Sequence, residues 1–289
     1  MYILYNSSLR NTDVEVEGIG SIYIRIISLI AFSRYYNFNF IHYKHHIGHN
    51  YNNISDDLWD TQWDNFFNIS SLCNKLDDIN IKDYEIIKKH ELEINDINNL
   101  IENKHNNKLF YFVQCFPIFF NNSNTFLKLI EDDLIKVYND ANNNKSLIFN
   151  KNKKNIAIHI RVWNDYDNTS EKYENYISCA SLRYRLNENN YIYIINKLIL
   201  KYPDYNINIF TQDSFINKYP NIFQNKNLSF HFDMDAFDTF HHLVNSDILV
   251  IGYSCFSYLA GIYNKNIVYY TNYPYIPKLL DRWHNINEI

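Results

Sequence analysis

Short apolar runs and longer amphipathic stretches alternate along the second half of the chain. The apolar runs predict strands at residues 156–160, 206–210, 228–232, 247–251 and 267–271. The stretches between them repeat an apolar residue every three or four positions, which predicts helices at residues 191–202, 236–245 and 258–263. Strands that alternate with helices are typical of a parallel sheet covered by helices on both faces.

The first half opens with a strand, a glycine-containing turn and a helix. Residues 1–5 and 38–42 predict two strands, and the helix between them ends near Asn37. The backbone N–H groups of Gly20 and Ser21 would lie at the N-terminus of this helix, where anions and sugar hydroxyls are bound well. The alternative is a tight turn that needed glycine only for its geometry.

The rest of the first half is less regular. Trp59 and Trp63 are four residues apart, which predicts an amphipathic helix packed on the core, with a sugar-stacking platform as the alternative. Residues 76–106 mix charged residues with asparagine and predict surface helix and loop. A strand is predicted at 109–113 and a helix at 121–137.

The most polar stretch of the chain, residues 140–155, predicts a domain boundary. A chain of 289 residues is long enough for two domains of ordinary size. We therefore predict an N-terminal domain at residues 1–150 and a C-terminal domain at residues 151–289.

Charge and cysteine content argue against several classes of protein. The net charge is −5 and no basic stripe is present, so a nucleic-acid partner is not expected. Four widely spaced cysteines without a CxxC pair indicate neither a zinc site nor a disulfide framework, and we expect a cytoplasmic protein. The N-terminus does not predict a signal peptide. Arg25 and Arg34 interrupt the apolar stretch 19–40, so no membrane span is predicted there.

Three predicted strands end in polar residues that would meet at one edge of the sheet. They are His159 and Arg161, Thr211 and Asp213, and Ser254 and Ser257. Ligands of open α/β sheets bind outside the carboxyl ends of the strands. An arginine there can donate two parallel hydrogen bonds to a diphosphate and stays charged at any working pH. The pattern predicts a nucleotide-diphosphate site, and the alternative for the arginine is an ordinary surface salt bridge.

The order of these motifs resembles the GDP-fucose-dependent fucosyltransferase superfamily, which contains the α1,2-, α1,6- and protein O-fucosyltransferases. That group has an H-x-R-x-G-D pattern, followed by F-[ST]-D and then S-S-F-S. The matching segments are His159-Ile-Arg161, Ile209 to Asp213, Asp238 to Asp247, Ser254-Cys-Phe-Ser257 and the N-terminal Gly18-Ile-Gly20-Ser21. The likeness covers the second half and the first 40 residues or so, and says little about residues 51–150.

The resemblance implies an α/β, GT-B-like fold of two Rossmann-like domains with a cleft between them. It also implies an inverting glycosyltransferase that needs no metal or other cofactor. The C-terminal domain would bind a GDP-sugar, with GDP-fucose as the first choice, and the N-terminal domain would face a glycan or glycoprotein acceptor. By position, Arg161 would bind the β-phosphate, His159 would lie beside the nucleotide and Asp238 would meet the guanine edge. The remaining implied nucleotide contacts are Gly20, Ser21, Asp213, Ser254, Cys255, Phe256 and Ser257.

The chain departs from the family pattern at three places. Val162 and Trp163 stand where the family has its second arginine and glycine, and Asn164 precedes Asp165. Ser21 replaces the usual asparagine, and Cys255 replaces the second serine of S-S-F-S. These departures leave the donor open, and a UDP- or dTDP-linked sugar is the alternative.

Two catalytic roles follow from this chemistry. Arg161 would stabilise the charge that grows on the leaving diphosphate, and a general base would take the proton of the acceptor hydroxyl. Asp165 is the predicted base, and Asp167, Glu171 and Glu174 are alternatives in the same segment. A carboxylate pair such as Asp165 and Asp167 could instead hold a divalent metal against substrate phosphates.

Two further classes stay open. One is a non-catalytic protein on this fold that binds a nucleotide or a sugar, which the lost second arginine permits. The other is a nucleotide-sugar epimerase, but the chain has neither a G-x-G-x-x-G fingerprint nor a Tyr-x-x-x-Lys pair at its usual place. The histidine pairs at 45–46 and 241–242 have no partners at ligand spacing, which favours structural roles.

Overall fold

The structure is a computed structural model. It consists of two compact units, and the boundary between them lies between Asn144 and Lys145. It describes residues 2–5, 18–43, 45, 47, 54–76, 79–91, 98–99, 101–102, 108–114, 124–162, 188–224, 227–252, 254–270 and 280–289. Each unit contains one sheet, and neighbouring strands are parallel in both sheets. The parallel α/β architecture predicted from the sequence is therefore confirmed.

The first unit is built on a five-stranded sheet with the order β3-β2-β1-β5-β4. Its strands are β1 (Tyr2–Tyr5), β2 (Asn39–His42), β3 (Asn74–Lys75), β4 (Glu85–Glu91) and β5 (Lys108–Gln114). Its helices are α1 (Ile19–Tyr36), α2 (Asp56–Phe67) and α3 (Glu131–Asn142), with 3₁₀ turns at Ile69–Leu72 and Ile81–Asp83.

Helix α1 is the central helix of the first unit. Nearly all of its residues up to Ser33 are buried, because the sequence is apolar around the whole helix rather than on one face. It ends where Asn37 adopts a left-handed conformation with φ of 57°, which asparagine tolerates better than most residues. Helix α2 begins at Ser55, whose hydroxyl accepts a hydrogen bond from the N–H of Leu58. Trp59 of α2 is buried in the core, as predicted, and so is Trp63.

The second unit is built on a six-stranded sheet with the order β11-β10-β9-β6-β7-β8. Its strands are β6 (Asn155–His159), β7 (Asn206–Thr211), β8 (Leu228–Phe232), β9 (Ile248–Val250), β10 (Ile267–Tyr270) and β11 (Trp283–Asn285). Its helices are α4 (Glu188–Lys201), α5 (Phe215–Lys218), α6 (Pro220–Phe223), α7 (Ala236–Val244) and α8 (Cys255–Tyr263), with a 3₁₀ turn at Ile286–Glu288. This is the strand order of a complete Rossmann sheet, in which the chain starts at the centre, runs to one edge, returns and runs to the other.

Two secondary-structure predictions were wrong. Residues 76–106 were expected to form surface helix and loop, but Glu85–Glu91 is strand β4. This strand lies at the edge of the sheet and carries the exposed Lys88, and edge strands often carry charges that prevent further pairing. The segment 267–271 was expected to be the last strand, but β11 follows it. Three residues of strand are too few to give a readable alternation.

The segment just before β6 belongs to the second unit, and its contacts show why. The ammonium of Lys145 pairs with the carboxylate of Asp238 at 2.9 Å, and the N–H of Ile148 donates to Nε2 of His242 at 2.9 Å. The boundary between the units therefore lies at 144/145, whereas the sequence pattern predicted a boundary at 150/151. In the described part of the chain, no helix is both long and apolar enough to span a membrane.

Candidate functional site

The candidate site lies at the carboxyl edge of the second sheet, where β6 and β9 are neighbours. After β6 the chain continues to β7 on one side, and after β9 it continues to β10 on the other side. The segments that directly follow β6 and β9, called their exits below, therefore diverge here. Open α/β sheets bind ligands at this switch point. His159 is the last residue of β6, Arg161 follows two residues later, and Gly252 follows β9. The structure thus brings together the first and third of the predicted strand ends.

Gly252 allows these two exits to approach closely. A Cβ atom at this position would overlap the main-chain oxygen of His159 and would stand 3.9 Å from Nδ1 of the same residue. Any larger residue would have to push the end of β9 away from the end of β6. The sequence analysis did not single out Gly252, although a glycine directly after a buried apolar run, in a chain with five glycines, is a usable signal.

The turn after Gly252 leads into helix α8. Ser254 is the N-cap, and its hydroxyl accepts a hydrogen bond from the N–H of Phe256 at 3.3 Å. Ser257 is fully buried, and its hydroxyl lies 3.3 Å from the carbonyl of Gly252 and 3.1 Å from that of Ser254. Both serines thus use their hydroxyls to hold the turn, while Cys255 in the first helical position is partly exposed. The first turn of a helix presents backbone N–H groups to an anion.

His159 has an apolar environment and a cation nearby. Burial and, secondarily, the charge of Arg161 lower the pKa of His159 to about 3, so its imidazole is neutral at neutral pH. Its ring lies 5.5 Å from the ring of Phe256, which in turn lies 5.4 Å from Phe240 of α7. Within the described part of the chain, Nδ1 of His159 is buried and has no hydrogen-bond partner. A buried nitrogen in that state calls for a ligand or water as its partner.

The end of β7 contacts the same segment through side chains. The hydroxyl of Thr211 donates to the carbonyl of Ile160 at 2.7 Å, and the Oε1 atom of Gln212 accepts from the N–H of Val162 at 2.8 Å. Asp213, which was predicted to contact the nucleotide, is exposed, and its N–H donates to the carboxylate of Asp233 at 3.0 Å. The sequence analysis named Thr211 only as a strand end and missed Gln212.

Asp238 lies in the first turn of α7, which starts at the same edge because it directly follows β8. The carboxylate of Asp235 caps this helix by accepting from the N–H groups of Phe237 and Asp238. The side chain of Asp238 is about half exposed and pairs with Lys145. Its carbonyl oxygen accepts from Nδ1 of His242 at 2.6 Å, which fits the structural role predicted for that histidine.

Several predicted residues lie apart from this edge or outside the described residues. Asp165 and Trp163 fall outside them, and so do the alternative acids at 167, 171 and 174. Gly20 and Ser21 belong to the first unit, in the first turn of α1. Gly20 is buried, and the N–H of Ser21 donates to the carbonyl of Gly18 at 3.1 Å.

The first unit contains a second polar cluster that the sequence analysis missed. Nε2 of His42, at the end of β2, lies 2.6 Å from Oδ1 of Asp64 in α2, and the hydroxyl of Tyr23 donates to the same oxygen at 3.3 Å. His45 is buried beside them, and the centroid of its ring lies 6.1 Å from that of His42. Burial, followed by the charge of His42, lowers the pKa of His45 to about 3, despite the opposing effect of Asp64. In the ranges that the structure describes, no three His, Cys, Asp or Glu side chains are grouped so that they could hold a metal ion.

No protein-family model and no curated protein matches this chain. Among solved structures, it is similar to POFUT1, a GDP-fucose protein O-fucosyltransferase. The crystal structure of POFUT1 with GDP-fucose has a TM-score of 0.50 and 8% sequence identity, over 92% of this chain and 94% of that chain. The structure with GDP has a TM-score of 0.50 and 9% identity over the same shares. At such low identity the likeness shows the fold alone, which is the GT-B-like fold of two Rossmann-like α/β units that the resemblance implied.

Proposed function

We propose that this protein is an inverting glycosyltransferase that takes a sugar from a nucleoside-diphosphate donor, most directly GDP-fucose, and transfers it to a hydroxyl of a glycan or glycoprotein acceptor. One observation carries the proposal. The end of β6, which Arg161 follows by two residues, meets Gly252 and the N-terminus of α8 at the switch point of a complete Rossmann sheet. The GT-B-like fold agrees with this proposal.

The diphosphate of the donor would bind between Arg161 and the first turn of α8. The guanidinium offers two parallel donors to phosphate oxygens, and the helix adds backbone N–H groups and the positive end of its dipole. Gly252 lets the segment after β9 lie against the main chain of His159 and places no side chain there. When the glycosidic bond breaks, negative charge grows on the diphosphate. Fixed donors in a dry site stabilise that charge more than they stabilise the bound donor substrate.

The nucleoside would lie against His159, Phe256 and the start of α7. His159 is neutral at neutral pH, so it can make a hydrogen bond without adding charge beside Arg161. The carboxylate of Asp238 is a hydrogen-bond acceptor, and guanine presents two adjacent N–H donors on one edge, whereas uracil presents one. This complementarity supports a guanine nucleotide over a uridine nucleotide.

Proton transfer needs a base close to the acceptor hydroxyl. We assign this role to Asp165, because it follows Arg161 by four residues and lies one position beyond the place of the family's motif acid, where this chain has Asn164. The first unit would bind the acceptor.

A ligand panel tests the proposal. GDP, UDP, dTDP and their sugars are added to the purified protein, and the melting temperature is measured, since a ligand of the folded state raises it by mass action. Release of nucleoside diphosphate from each sugar is followed in parallel. We expect the largest shift with GDP and turnover with GDP-fucose. A larger shift with UDP than with GDP would mean that the donor is a UDP-sugar. Binding without turnover would favour the non-catalytic alternative. No shift with any nucleotide would overturn the proposal.

A further inference from the structure

We propose that Thr211 and Gln212 are positioning residues, which hold Arg161 in the orientation that binds the diphosphate. This inference rests on the proposed function of Arg161. Neither residue needs to touch the donor, because each acts on the main chain beside the arginine.

The two side chains hold the two peptide groups that flank Arg161. The carbonyl of Ile160 belongs to the peptide before Arg161, and the hydroxyl of Thr211 donates to it at 2.7 Å. The N–H of Val162 belongs to the peptide after Arg161, and Oε1 of Gln212 accepts from it at 2.8 Å. Because both peptide planes are fixed, the φ and ψ angles of Arg161 and the direction of its Cα–Cβ bond are fixed as well.

These two bonds connect the exits of β6 and β7 beyond the point where the backbone pairing of the two strands ends. The backbone pairing of β6 with β7 runs to the bond from the N–H of Ile160 to the carbonyl of Phe210, at 3.0 Å. From that point onward, the side chains of Thr211, the last residue of β7, and of Gln212, the next residue, bond to the segment after β6 in place of the backbone. Ile160 and Val162 are buried on either side of the half-buried Arg161, so the arginine is the residue of these three that solvent reaches.

The turn that carries the two side chains is itself held by the next strand. Asp233, directly after β8, donates its N–H to the carbonyl of Thr211 at 3.0 Å and accepts from the N–H of Asp213 at 3.0 Å. Asp233 has a positive φ of 44°, an uncommon conformation for a residue other than glycine. The exits of β6, β7 and β8 are thus linked in series, with Arg161 at the end that faces the switch point.

Preorganisation gives these bonds a measurable effect on binding. An arginine on a backbone that is not held samples more directions, and a diphosphate must select the productive one at the expense of affinity. A geometric error of about 1 Å can lower a rate by about a hundredfold. Loss of one net hydrogen bond corresponds to about a 2- to 12-fold change in an equilibrium constant.

The test compares Thr211→Val, which keeps the shape but loses the hydroxyl, with Thr211→Ser, which keeps the hydroxyl. Gln212→Met keeps the length of the side chain and removes the amide oxygen. Affinities for GDP, inorganic pyrophosphate and guanosine are measured by calorimetry, and unfolding in urea checks that each variant folds. If Thr211→Val does not fold, Gln212→Met carries the test, because that side chain is partly exposed.

We expect Thr211→Val and Gln212→Met each to lower the affinity for GDP and for pyrophosphate by about fivefold. Guanosine, which lacks the phosphates, should bind as before. Thr211→Ser should restore most of the loss. In an Arg161→Ala background, Gln212→Met should cause less than half of that loss on a logarithmic scale. Unchanged GDP affinity in both loss variants, or equal losses for guanosine, would overturn the positioning role. If Arg161→Ala alone leaves GDP affinity unchanged, the proposed function of Arg161 fails and this inference fails with it.

Discussion

Gly252 lies directly against the main-chain carbonyl of His159, where β9 and β6 end side by side. The contact leaves no room for a Cβ atom. The obstacle is backbone rather than the end of a flexible side chain, so it can be relieved only by moving one strand end. The separation of the two exits, one of which leads to Arg161 and the other to α8, therefore depends on this glycine.

The first prediction is that Gly252→Ala lowers the free energy of unfolding by about 1–3 kcal/mol and weakens GDP binding. The added methyl group is overpacked against fixed backbone, and overpacking typically has this magnitude. Urea unfolding and calorimetric titration with GDP measure the two effects.

Gly261→Ala is the matched control. Its Cβ would meet Ile251 Cδ1 and a ring carbon of Trp283, each at 2.9 Å, so side chains rather than backbone must move. It should also lower stability but should leave the affinity for GDP nearly intact. Equal losses of GDP affinity in the two variants would mean that the spacing at His159 has no special role.

The second prediction concerns acid destabilisation of the first unit. Burial, together with the charge of His42, lowers the pKa of His45 from 6.5 to about 3, so the folded state keeps this imidazole neutral where the unfolded chain protonates it. The unfolded state then binds more protons. Stability is fully present above the unfolded pKa and falls by up to about 1.4 kcal/mol per pH unit as the pH drops through this window.

Asp64 acts in the same direction. Burial raises its pKa, but the hydrogen bond and charge of His42 and the hydroxyl of Tyr23 outweigh burial, so its pKa lies below the ordinary value. Its contribution is present above the unfolded pKa and is lost as the pH falls through the folded one. Urea unfolding at a series of pH values measures the slope, and His45→Gln should flatten it by up to about one proton between the two pKa values. A slope that is the same in the wild type and His45→Gln would contradict the buried neutral state.

The third prediction concerns Asn264, which joins the C-terminal ends of α7 and α8. Its side-chain amide is fully buried and donates to the carbonyls of Leu243 at 2.9 Å and Ser246 at 3.1 Å. Asn264→Leu leaves both carbonyls without this donor and should lower stability by about 2–4 kcal/mol. The control is Asn266→Ala, on the exposed neighbour that donates to Ser246 at 3.0 Å. It should lower stability by less than about 1 kcal/mol, and similar losses in the two variants would refute the assignment.

The fourth prediction is that sugar transfer persists in excess EDTA. Arg161 and the N-terminus of α8 already provide the positive charge that a metal would bring to a diphosphate. Asp165→Asn should then abolish transfer while GDP still binds. Loss of activity in EDTA with recovery in Mn²⁺ would instead make Asp165 and Asp167 metal ligands.

The sequence predicted strands β6 to β10 and helices α4, α7 and α8 of the second unit, because each buried strand there is a short apolar run bounded by polar residues. It also placed His159, Arg161 and the Ser254–Ser257 segment at one edge, since the carboxyl ends of parallel strands share an edge. It could not predict strand order, which depends on contacts between distant parts of the chain. For that reason the proximity of Gly252 to His159 was not apparent.

Other features escaped prediction because they depend on side-chain hydrogen bonds between elements far apart in sequence. The bond from Val162 to Gln212 spans 50 positions, and the pair formed by His42 and Asp64 spans 22. Neither pair has a spacing that marks it in one sequence. Strand β4 was missed for a different reason, because its exposed edge position permits charged residues that hide the strand pattern.

In the proposed function, Arg161 binds the diphosphate of a nucleotide at the switch point of the second sheet. The most direct measurement is the affinity for GDP and for guanosine of the wild type, Arg161→Lys and Arg161→Ala. We predict that Arg161→Ala weakens the binding free energy of GDP by about 2–4 kcal/mol. Arg161→Lys should cause a smaller loss, because lysine keeps the charge but not the two parallel hydrogen bonds of the guanidinium. The affinity for guanosine should be unaffected in both variants. GDP affinity that is the same in all three proteins would contradict the account.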